Sequence, residues 1–159
     1  MQYLTFSTIT NLSVITTPQD YEYTFELVCT QCDTHAKEIP INLNESHEFG
    51  RASVSYVAKC SFCGNTGTIQ IKLPKNYAGY VIKREEGEEE GEEAKNGGKQ
   101  KMLEIDGRGW KAVDFLPVGL FKGFIKGKEV EVEFDDGEWY DYDDNIGELS
   151  AIEAEWKIE

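Results

Sequence analysis

Four cysteines stand in two pairs, Cys29-Thr30-Gln31-Cys32 and Cys60-Ser61-Phe62-Cys63, and they are all the cysteines of the 159-residue chain. Two intervening residues let a tight turn aim both sulfurs of a pair at one ion. Two such turns supply the four soft thiolates of a closed tetrahedral Zn²⁺ site. With no coordination position left for water, such an ion is structural and not a Lewis acid. A site of this kind carries apparent binding energy on the order of 10 kcal/mol, comparable to the whole stability of a small domain. The expected cofactor is therefore one structural Zn²⁺ held by Cys29, Cys32, Cys60 and Cys63.

Paired cysteines also occur in disulfide frameworks and in redox couples. A disulfide framework suits a short secreted chain, whereas Met1-Gln2-Tyr3-Leu4-Thr5-Phe6 has neither a basic start nor a long apolar stretch, which points to a reducing compartment. A redox Cys-x-x-Cys opens a helix after a strand. Here the pairs run into turn residues, Asp33-Thr34-His35 and Gly64-Asn65-Thr66-Gly67. His35 and His47 are alternative ligands by type, but four cysteines satisfy the ion and both histidines lie in polar surroundings, so a solvated role is expected for each.

The elements that must position these sulfurs read as β throughout. Tyr21, Tyr23, Phe25 and Leu27 share one face of an extended run that delivers Cys29; Val54, Tyr56 and Ala58 do the same before Cys60. Ile69, Ile71 and Leu73 alternate with polar residues after the second pair. Each cysteine pair thus sits at a strand end, where the metal clips two strand-turn units together and stops them fraying. The stretch from Pro40 to Gly50 reads as a polar connection with one short strand. Farther on, Val130, Val132 and Phe134 alternate with glutamates, Asp135-Asp136-Gly137 signals a hairpin leading to Trp139, and Ile152, Ala154, Trp156 and Ile158 point inward. No convincing amphipathic helix is present, so the expected class is all-β, with two similar packed sandwich-like or barrel-like halves, the first carrying the tetra-cysteine site. The halves are placed at 1–82 and 102–159, and a faint repeat relates Asn11–Pro18 to Ala112–Pro117.

Between them, at 83–101, lies a low-complexity block with seven glutamates between Glu85 and Glu93, read as a solvated tether. The formal net charge is −14, and removing the block's glutamates leaves −7. Such a surface repels phosphate backbones, and no basic stripe flanks either cysteine pair, which excludes nucleic acid as the expected partner. No stretch approaches the length needed to span a bilayer, so no membrane partner is expected either. Protein partners remain.

Other chemistries fit poorly. Asp141-Tyr142-Asp143-Asp144-Asn145-Ile146-Gly147-Glu148 imitates a Ca²⁺ loop, but Ile146 stands where the sharp-turn glycine belongs, Ile152 where the bidentate acid belongs, and flanking helices are missing; a solvated turn is the reading. The zinc deaminase pattern needs His-x-Glu, and His47 is followed directly by Glu48. Asp135 and Asp141 could do acid-base work, but no nucleophile, base and orienting group converge in the pattern, so no enzyme activity is expected.

Taken with Ile9-Thr10-Asn11-Leu12, Gly107-Arg108-Gly109, Val113-Asp114-Phe115-Leu116-Pro117 and Glu138-Trp139-Tyr140-Asp141-Tyr142-Asp143, the two cysteine pairs give a chain that resembles, nearly end to end, the eukaryotic CXXC-motif-containing zinc-binding proteins. The resemblance implies one zinc on Cys29, Cys32, Cys60 and Cys63 and an all-β fold of two similar halves. It supplies no catalytic residues. Arg108, Asp114 and Trp139 to Asp143 are then read as bracing the fold, and the glutamate block as an elaboration of this chain.

The expected protein is a monomer of the cytoplasm, and of the nucleus as well, whose structural zinc supports a non-catalytic protein-interaction module. The rival is a redox-sensitive or metal-exchanging protein, in which oxidation releases Zn²⁺ or a partner takes it. Buried thiolates favour the first, and open sulfurs near Lys37 and Lys59 favour the second.

Overall fold

The computed structural model describes residues 1–84 and 97–159, so the tether expected over the glutamate block lies outside the described residues. The strands in chain order are β1 (Gln2–Thr10), β2 (Val14–Thr16), β3 (Glu22–Cys29), β4 (His35–Asn42), β5 (His47–Phe49), β6 (Ala52–Val54), β7 (Tyr56–Lys59), β8 (Thr66–Lys72), β9 (Tyr80–Val81), β10 (Gln100–Arg108), β11 (Trp110–Leu116), β12 (Phe121–Ile125), β13 (Lys128–Val132), β14 (Trp139–Asp143) and β15 (Gly147–Ile158). The fold is all-β, as the period of two requires. Among the described residues no helix is long and apolar enough to cross a membrane.

The strands form a six-stranded sheet in the order β14-β15-β1-β10-β8-β7, a four-stranded sheet β13-β12-β2-β9, a three-stranded sheet β11-β3-β4 and the hairpin β5-β6. This order contains a pseudo-two-fold. Exchanging β1 with β10, β2 with β11, β3 with β12, β4 with β13, β7 with β14 and β8 with β15 returns the same set of antiparallel pairings. The two similar halves are therefore interlocked. Each lends its first two strands to the other: β1 and β2 pair with β15 and β12, while β10 and β11 pair with β8 and β3. In consequence all three larger sheets take strands from both sides of residues 83–101 and enclose one continuous core.

That core is strongly aromatic. Trp156 stacks on Phe6 with ring centroids 4.0 Å apart and also packs on Phe115 and Phe121, and Tyr23 and Phe25 extend the cluster toward the first cysteine pair. Tyr21, Tyr23, Phe25 and Leu27 are all buried, as their alternation indicates. Elsewhere the alternation breaks at bulges. In β15, Leu149 and Ala151 point inward, then Glu153 adopts φ 50°, and Ala154, Trp156 and Ile158 continue on the other phase. Leu73 lies just past the end of β8 and is exposed.

Two connections differ from their sequence reading. The 40–50 stretch contains the end of β4 and then β5, which pairs with β6 to form an added hairpin. The Asp135–Glu138 turn is tight, with Asp136 and Gly137 both at positive φ as a type I′ turn demands. It carries the chain from one sheet to another, because β13 pairs with β12 and β14 with β15.

Candidate metal centre

The two cysteine pairs are built to one plan. Cys29 ends β3 and Cys60 follows β7. In the first knuckle the Cys29 N–H donates to the Thr34 carbonyl at 2.9 Å and the Asp33 N–H donates to the Cys29 carbonyl at 2.9 Å. In the second, the Cys60 N–H donates to Asn65 at 2.7 Å and the Gly64 N–H to Cys60 at 3.0 Å. Both chains reverse through a left-handed residue directly after the second cysteine, Asp33 at φ 60° and Gly64 at φ 79°. Glycine and aspartate are residue types that enter this region at low cost.

The knuckles face each other across a gap of atomic size. Cys29 Sγ lies 3.7 Å from Cys63 Sγ, and Cys32 Sγ lies 3.6 Å from Cys60 Sγ. All four sulfurs fall within 4.8 Å of one another. A Zn–S bond of about 2.3 Å in tetrahedral geometry gives an S···S edge of about 3.8 Å, so the cluster has the dimensions of a tetrathiolate site. These separations are far too long for an S–S bond, and all four thiols are free. The donor set, four soft sulfurs at tetrahedral spacing, fits zinc.

Burial divides the ligands. Cys29 and Cys60 are buried, Cys32 is half-buried and Cys63 is exposed. The backbone N–H groups of Cys63 and Phe62 hold the Cys60 thiol down at about 6. The Thr34 hydroxyl, 3.1 Å from Cys32 Sγ, together with the Thr34 backbone lowers Cys32. At Cys63 the backbone bond with Asn65 pulls downward, but desolvation and the three neighbouring sulfurs outweigh it and push the thiol up to about 11. Desolvation and the hydrogen bonds that keep a proton between Cys63 and its neighbouring sulfurs are the physical reason, and a divalent cation among the sulfurs would take that proton's place.

Neither histidine joins the cluster. His35 Nδ1 lies 3.0 Å from Glu26 Oε2 and His47 Nε2 lies 3.7 Å from Glu45, both at the surface. The Asp141–Glu148 stretch is the β14–β15 hairpin turn. Asp143 Oδ1 accepts the N–H groups of Asn145 and Ile146 at 2.9 and 3.0 Å, and its other oxygen pairs with Lys128.

Sequence reading missed two features. Trp110 pairs with Cys29 across β11 and β3, and its indole N–H donates to Ala58 at 3.1 Å beside the second knuckle. The neighbouring Gly109 carbonyl accepts the Thr30 N–H of the first knuckle at 3.0 Å. The Gly107–Trp110 corner therefore holds both knuckles; the Gly-x-Gly-Trp pattern was the available signal. The second feature is the Lys128–Asp143 pair. Under the pseudo-two-fold, the turn after β12 corresponds to the first knuckle and the turn after β14 to the second. Lys128 and Asp143 thus join, in one half, the two hairpins that the cysteines join in the other.

The chain matches the model of a family described as CXXC motif containing zinc binding protein, eukaryotic, over residues 3–159. It is 27% identical over 155 residues to the UPF0587 protein YCR090C of Saccharomyces cerevisiae, covering 88% of this chain and 84% of that protein. Two solved structures share the fold. One, described as the crystal structure of C1orf123, superposes with a TM-score of 0.77 at 22% identity, over 99% of this chain and 98% of that one. The other, a hypothetical protein from Plasmodium falciparum, gives 0.80 at 16% identity, again over 99% and 98%. With a family match over nearly its whole length and four cysteines gathered at metal-binding distance, the chain belongs to the eukaryotic CXXC-motif-containing zinc-binding proteins.

Proposed function

We propose that Cys29, Cys32, Cys60 and Cys63 hold one structural zinc ion and that the chain it braces is a non-catalytic protein-interaction module. The observation carrying the structural role is where the cysteines stand. Cys29 belongs to the three-stranded sheet and Cys60 follows the edge strand of the six-stranded sheet, so one ion ties two sheets together. A zinc with four thiolates has no position for a reacting water. Support for interaction comes from aromatic side chains left in solvent. Phe62, at the tip of the second knuckle, is 80% exposed, and Tyr140 and Tyr142 are each 65% exposed on β14, an end strand of its sheet. Exposed aromatics are the residue types that anchor protein interfaces.

The exposure of Cys63 favours a second reading, in which that thiolate gives a partner access to the metal. Elemental analysis of the native chain and of Cys60→Ser and Cys63→Ser variants separates the two. The structural reading expects one zinc per chain and loss of both metal and cooperative unfolding in either variant. A Cys63→Ser chain that keeps its melting temperature while its zinc exchanges freely would favour the second reading.

A further inference from the structure

The β5–β6 hairpin has no counterpart in the other half, where the link between β13 and β14 is the tight Asp136-Gly137 turn. It stands over the outer face of β8 and β10 and encloses with it a cavity of about 680 Å³, a size suited to small molecules. Two of the three arginines of a chain with net charge −14, Arg51 and Arg108, line this one cavity. Neither guanidinium has an ion-pair or hydrogen-bond partner among the described residues.

The floor is divided along the strands. Arg108 stands opposite Thr68, and two residues along, Asp106 stands opposite Gln70. One end of the floor therefore presents guanidinium and hydroxyl donors, the other end presents two acceptors, and the hairpin contributes Arg51 to the lining. Gln70 Oε1 is buried there with no hydrogen-bond partner among the described residues. An acceptor left in that state has lost its hydration without compensation, a loss that a donor arriving with a ligand would recover. Phe49, 45% exposed on the hairpin, adds an apolar wall.

We propose that this cavity binds a small organic anion, a carboxylate or a phosphate, that carries a hydrogen-bond donor about 7 Å from its charge, the span of two strand residues. The arginines take the anion through their planar forks. Gln70 and Asp106 take the donor. The polar floor lies on the face of β8 opposite Ile69 and Ile71, so a ligand reaches it without entering the core.

The test is an NMR titration of the zinc-loaded full chain with 6-hydroxyhexanoate and glycerol 3-phosphate, each compared with its donor-poor counterpart, hexanoate or methyl phosphate. Saturable shifts at residues 51–54, 66–70 and 106–109, with the donor-bearing probe the tighter of its pair, are expected. The probe that saturates identifies carboxylate or phosphate as the source of the charge. An Arg51→Gln, Arg108→Gln double variant should lose at least about tenfold in affinity, and Gln70→Leu should abolish the preference for the donor-bearing probe. Zinc content and melting temperature show that each variant is folded. Absence of saturable shifts with every probe at millimolar concentration would overturn the proposal, as would unchanged affinity in the folded double variant.

Discussion

At the scale of single residues, the pseudo-two-fold sets a metal against an ion pair. Where four sulfurs join two hairpins in one half, Lys128 and Asp143 do so in the other. The Lys128 ammonium hydrogen-bonded to Asp143, followed by the Asn145 N–H, holds that carboxyl below its usual range, and Asp143 raises Lys128 in return. A depressed carboxyl binds its proton less readily folded than unfolded. Its stabilisation is therefore present above the unfolded value of about 3.9 and lost as pH falls through the folded value. Melting curves should show Asp143→Asn less stable than the parent at pH 7, with the difference shrinking as pH drops below about 4; a gap that stays constant with pH would contradict this. The cysteines could be read from the sequence because their type and spacing carry the chemistry locally. Asp143 could not, because the same Asp-x-Asp-Asp-Asn string serves a solvated turn equally well, and Lys128 stands fifteen positions away.

At the scale of elements, the knuckles depend on close backbone approach at the Gly107–Trp110 corner. A Cβ built on Gly67 would lie 2.6 Å from Trp110 Cδ1 and 2.9 Å from the Arg108 carbonyl, closer than packed atoms allow. Gly67→Ala should therefore cost about 1–3 kcal/mol in urea denaturation, as overpacking does, and weaken zinc retention with it. An alanine variant with unchanged midpoint and metal content would show that the corner does not brace the site. The strand alternation was legible wherever one face meets the core without interruption, as from Tyr21 to Leu27. It misled in β15, where Ile152, Ala154, Trp156 and Ile158 read as one inward face. The left-handed turn at Glu153 shifts the phase, so that Leu149 and Ala151 carry the inward face before it. A bulge leaves no mark in hydrophobicity when the residues on both sides are apolar.

At the scale of the whole molecule, the faint repeat seen in the sequence corresponds to two halves with the same strand plan, but their interlocking was invisible. Local patterns give strands and turns, while the exchange of β1–β2 for β10–β11 depends on pairings between residues far apart in the chain, such as Thr10 with Ala151 and Trp110 with Cys29. Residues 1–82 expressed alone lack the partners of β1, β2, β3 and β8 that lie beyond the glutamate block, and should show no cooperative unfolding. Co-expression with residues 102–159 should restore a soluble complex; a first segment that folds by itself would refute the interlocked core.

The most direct test of the metal as the clip between sheets is to titrate the native chain with a zinc chelator while following metal content, far-UV and near-UV circular dichroism and melting temperature together. Loss of zinc should remove the near-UV signal of Trp110, which adjoins both knuckles, and lower the melting temperature by at least about 10 °C, the shift expected when several kcal/mol are lost from a chain of this size. A metal-free chain that keeps its tryptophan signal and melts at the original temperature would contradict the account.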